Sequence, residues 1–99
     1  NLMVALMDAA FEMAEQAGLS REDARRMLLP LARSSVENLA QQSTSEALSG
    51  PVARGDRTTL EMHRAALESL DDSELAGIYE VLTERAKALA ASKWDGDDD

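Results

Sequence analysis

Cysteine is absent from the 99 residues, which excludes disulfides, thiolate nucleophiles and every cysteine-based metal site. Aromatic residues are nearly absent as well, with one Phe, one Tyr and one Trp. The apolar core must therefore come from Leu, Met and Ala, a composition that reads as helical. No stretch reaches the roughly 20 apolar residues that span a bilayer, and the opening residues lack the basic region and cleavage pattern of a signal peptide. Neither insertion nor export is expected, and a cytoplasmic location fits the missing cysteines. Basic charge is scarce, at 10 Lys and Arg against 19 Asp and Glu. The arginines alternate with acids instead of forming a stripe, which excludes nucleic acid as the expected partner.

What is present is an alternation of helical patterns. Length alone predicts one small domain. From Leu2 to Ala17 nearly every position is apolar, and Asp8, Glu12, Glu15 and Gln16 form a single narrow polar stripe. Such a helix needs cover over most of its circumference, which predicts a homodimer through the first helix. Gly18 ends it. Ser20 with Asp23 resembles a capping box, opening a second helix in which Ala24, Leu28, Leu31, Ser35 and Leu39 mark one face. Pro30 interrupts the run without breaking its phase, so a kink is expected there. Ser43 or Thr44 caps a short turn, and Gly50, Pro51 and Gly55 then punctuate an irregular segment. Asp56 caps a helix carrying Leu60, His63, Leu67 and Leu70, and Asp71 to Glu74 signal a last one through Leu89. The expected architecture is all-α, a compact bundle of about four to five helices over residues 1–92. The charge sums to −6 over residues 71–99, from nine acids and three bases, and the acidic tail 93–99 is expected to be disordered. The chain opens with Asn1 directly into helical pattern, which predicts further residues upstream.

Two places hold chemistry. Around Gly50 to Asp56, Arg54 or Arg57 next to a helix start can hold a carboxylate or phosphate. Equally, the glycines serve tight backbone geometry while Asp56 caps its own helix and the arginines stay solvated. The segment lacks the Lys and Ser or Thr of a phosphate-binding Walker loop. His63 can donate a proton or bind a substrate oxygen, or it can be a packed neutral imidazole bonded to a neighbour. One histidine with one distant acid predicts no metal site. Glu12 and Glu15 lie on the polar stripe and read as solvated rather than as a glycosidase pair. Asn1 and Asp8, seven apart, share one side of the first helix, and Tyr79 is expected to bury its ring and find a hydroxyl partner.

The segments NLMVALMDAAFEMAEQAGL, LLPLARSSVENL and ALSGPVARGDRTTLEMHRAAL together resemble the C-terminal helical domain of Rossmann-like proteins in domain-of-unknown-function family 2520. The likeness covers residues 1 to about 85 and keeps the spacing of Gly18, Pro30, Asn38, Gly50 to Asp56 and His63. Ser49 stands where the family commonly has Thr, which retains the hydroxyl. The resemblance implies a domain like the C-terminal domain of 6-phosphogluconate dehydrogenase, following an N-terminal dinucleotide-binding domain that this chain lacks. It implies an NAD(P)-dependent oxidoreductase parent acting on an unidentified small molecule, with NAD or NADP bound by the parent and no cofactor by this fragment, which is expected to be inactive alone. It implies substrate-binding roles for Gly50, Pro51, Arg54, Gly55 and Asp56. By the same likeness, His63 and Asn1 are the candidate catalytic residues. The rival readings are a non-enzymatic helical interaction module and a small-anion-binding domain.

Overall fold

In the computed structural model, residues 1–96 are described, with side chains through residue 92. The described residues form six helices and no strand, so the chain is all-α. The helices are α1 (Leu2–Gln16), α2 (Arg21–Gln41), α3 (Thr44–Ala47), α4 (Pro51–Arg54), α5 (Arg57–Ser69) and α6 (Ser73–Gly96). None is long and apolar enough to cross a membrane. The expectation of four to five helices undercounts because the Gly- and Pro-containing segment expected to be irregular folds into the single turn of α4. Near the C-terminus, α6 continues through Gly96, past the expected helix pattern that ends at Leu89 and past residue 92, the expected end of the helical domain. The remainder of the predicted tail lies outside the described residues.

Contacts divide the chain into two compact units, Asn1–Glu37 and the residues from Asn38 onward. In the first, α1 ends where Gly18 takes φ 107, a left-handed backbone that glycine adopts without a Cβ clash. The amides of Gly18 and Leu19 reach the carbonyls of Glu15 and Ala14, which satisfies two of the helix's orphan acceptors. Ser20 then accepts the Asp23 amide and starts α2. Arg21 fixes the corner: its guanidinium pairs with Glu15 at 2.9 Å and Asp8 at 3.2 Å and lies over the Phe11 ring. α2 runs through Pro30 as one helix. Ala9 and Ala24 are the buried side chains of this unit, while Leu2, Met3, Val4 and Leu6 on α1 and Met27, Leu31 and Val36 on α2 are exposed.

In the second unit α6 packs against α3, α4 and α5, and α4 also meets α5. Leu75, fully buried, is its anchor. Each start has its own device. Ser43 and Glu46 form a reciprocal capping box on α3, Pro51 opens α4 where no amide is needed, and Asp72 accepts the Leu75 amide at 3.1 Å to start α6.

Candidate functional site

The Gly50 to Asp56 segment is built by two glycines in left-handed backbone. Gly50 has φ 86 and precedes α4, and Gly55 has φ 70 and ends it. The amides of Gly55 and Asp56 bond back to the carbonyls of Val52 and Pro51, at 3.1 Å and 2.8 Å. This closing motif turns the chain sharply into α5. Asp56 then caps α5 with both carboxylate oxygens, one accepting the Thr59 amide at 3.1 Å and the other the Thr59 hydroxyl at 2.6 Å. The Arg54 guanidinium lies 3.6 Å from the second oxygen. The Thr59 hydroxyl, then the Thr59 amide, and less strongly Arg54 favour the charged carboxylate and outweigh partial burial, holding Asp56 below its ordinary 3.8. Arg54 itself is mostly exposed, and the neighbouring Arg57 has no ion pair among the described residues.

His63 follows Asp56 by seven residues, about 10 Å along the axis of α5. It is exposed rather than buried, so the packed-imidazole reading fails on burial while its hydrogen-bonded character stands. Its Nδ1 lies 2.9 Å from the hydroxyl of Tyr79 on α6, and the rings meet edge to face with centroids 6.0 Å apart. Tyr79 also lines a cleft of about 150 Å³ between α5 and α6, together with the apolar Leu60, Leu67 and Ala76 and with acids and bases that include Glu61 and Arg64.

A family model described as Domain of unknown function (DUF2520) matches residues 1–86. The chain belongs to this family. No curated protein and no solved structure matches it.

In this DUF2520 chain the sequence-derived site residues fall into two groups. Gly50, Pro51, Arg54, Gly55, Asp56 and His63 all belong to the second unit, where Gly55 supplies the turn, Asp56 the cap and Arg54 the charge beside it. Asn1 belongs to the first unit; it is exposed and occupies the start of α1 without a side-chain cap bond. Of the acids weighed as a pair, Glu15 is bound by Arg21. No group of three or more metal-ligating side chains occurs among the described residues. Sequence reasoning missed Tyr79 as the partner of His63. The signal was half visible, because a lone tyrosine on an amphipathic helix needs a partner for its hydroxyl, but the pairing crosses between helices and only packing reveals it.

Proposed function

We propose that this DUF2520 chain is the C-terminal substrate-binding and dimerisation part of an NAD(P)-dependent oxidoreductase, similar to the C-terminal domain of 6-phosphogluconate dehydrogenase. The described residues contain no strand, and hence no strand-to-helix turn of the kind that seats a dinucleotide pyrophosphate. The nicotinamide's hydride chemistry belongs in this reading to an upstream domain of the parent. This chain contributes binding and orientation to a small carbonyl or imine substrate. The observation that supports the reading best is the exposed imidazole of His63, held on one nitrogen by Tyr79 and carried on the helix that Asp56 caps, with Arg54 beside that cap. Arg54 offers a planar two-donor fork to an anionic substrate group, and His63 offers a hydrogen bond to the reacting end. Dimerisation rests on the exposed apolar opening of α1, where Leu2 is 87% and Val4 71% accessible.

The test is to join the chain to the segment encoded upstream and follow its thermal midpoint with NAD(H) and NADP(H), then assay oxidation of the reduced cofactor with small carbonyl compounds. Stabilisation by one dinucleotide, followed by turnover that Arg54→Ala weakens through KM, is the expected result. No shift and no turnover would favour the second reading, a non-enzymatic interaction module, which draws on the same exposed apolar residues and on Asp56 already engaging Arg54.

A further inference from the structure

Tyr79 stands one helical turn after the buried Leu75, so the anchor of the second unit also fixes the tyrosine. Its ring crosses that of His63 at 76°. Two hydrogen placements satisfy the 2.9 Å contact: the phenol donates to a bare Nδ1, or an Nδ1–H donates to the phenol oxygen. Chemistry separates them. The phenol oxygen delocalises a lone pair into its ring, which makes the hydroxyl a strong donor and a poor acceptor, whereas a bare imidazole nitrogen is a strong neutral acceptor. Moreover, the Tyr79 hydroxyl has no other hydrogen-bond acceptor among the described residues, so within them its proton is used only by donation to Nδ1.

We infer that Tyr79 is a positioning residue that donates to Nδ1 of His63, so that the neutral imidazole carries its hydrogen on Nε2 and presents a donor to the ligand. The inference rests on the proposed function for the existence of a substrate, and it narrows that substrate's class. An Nε2–H needs an acceptor, which a carbonyl or carboxylate oxygen provides. A carbonyl oxygen or a neutral imine nitrogen has the lone pair to take it, whereas a protonated imine carries N–H and gives this donor nothing to bond. The site is therefore one for a neutral acceptor, a carbonyl oxygen or an imine nitrogen that meets Nε2, and not for an iminium ion.

Because His63 is the sole histidine, the imidazole nitrogen signals of the ¹⁵N-labelled chain belong to one side chain. For the neutral ring, the expected spectrum shows Nδ1 deshielded as a bare acceptor and Nε2 shielded as the N–H. In Tyr79→Phe, which keeps the ring, the two resonances move toward each other as the tautomers exchange, with the helical circular dichroism unchanged. A wild-type Nδ1 that carries the hydrogen, or a Tyr79→Phe spectrum identical to wild type, would overturn the inference. In the parent protein restored upstream, Tyr79→Phe is expected to lower kcat on carbonyl substrates by about tenfold with little change in KM, a loss smaller than that of a direct acid–base group, as suits a positioning residue. Preference for an N,N-dialkylated iminium substrate over carbonyl compounds would overturn the assignment of substrate class. A parent with no turnover at all would remove the proposed function, while the tautomer spectrum would still decide the role of Tyr79.

Discussion

Asp56 joins structure and charge in one side chain. Its two oxygens accept from the amide and the hydroxyl of a single residue, Thr59, with Arg54 beside the second oxygen. These donors favour the ionised form and place the folded pKa below 3.8. A carboxyl depressed on folding adds stability that is fully present above its unfolded pKa and is lost as pH falls through the folded value. Asp56→Asn keeps a good cap residue but removes the charge. Its thermal midpoint is expected to fall a few degrees below wild type at neutral pH, and the gap to close as pH drops below 3.8. Circular dichroism melts across that range check both the sign and the window; a gap that stays constant would show that the charge is irrelevant. The cap at Asp56 was legible from sequence, because an acid before Arg57 and an apolar-periodic run is a helix-start signal. What Arg54 does with its guanidinium was not, since both the solvated and the ligand-binding reading use the same residue types, and only the 3.6 Å contact shows where it leans.

Glycine means opposite things in neighbouring helices. At Gly55 the backbone is left-handed with φ 70, and a Cβ built there meets no atom within 4 Å, so the cost of a side chain is purely conformational. Gly55→Ala is expected to destabilise by about 1 kcal/mol, with Gly55→Asn less harmful because asparagine tolerates this region. Gly77 lies inside α6 with no positive φ, and an added Cβ again meets open space. There alanine removes unfolded-state freedom and supports the helix, so Gly77→Ala is expected to stabilise by about 0.5–1 kcal/mol. Paired urea titrations of the two variants read both signs against the same wild type. This contrast also explains why α4 was not foreseen. Pro51 at its first position and Gly55 just beyond its end are helix-boundary chemistry, yet with four residues between boundaries the same letters read as loop punctuation. The long helices were legible because periodicity accumulates over their length. The run of α2 through Pro30 was expected for that reason: apolar spacing persists on both sides of the proline.

For the whole molecule the deciding balance is between net charge and uncovered apolar surface. Ala9, Ala24 and Leu75 are the buried apolar residues among those described, and two of them are alanines. Meanwhile the first turns of α1 expose Leu2, Met3 and Val4 at successive positions, which on a helix point to different sides. In the proposed dimer a second copy of the chain would cover this surface with the same kind of residue, and a stable contact of this type buries above about 1,000 Å² in total. Each copy carries −9, so like charges oppose association and added salt should strengthen it. The expected behaviour is a thermal midpoint that rises with protein concentration and a sedimenting mass that rises with both concentration and salt. Val4→Glu places a charge on this surface while glutamate, a better helix former than valine, preserves α1. It is expected to abolish the concentration dependence with helicity retained. Met62→Glu adds the same charge at a similarly exposed position, 65% accessible, but on α5. If Val4→Glu dissociates the protein and Met62→Glu does not, the contact lies on the opening helix. Equal effects of the two variants would mean that added charge, rather than the covered surface, sets the assembly, and a lone protomer at every concentration would sink the dimer itself.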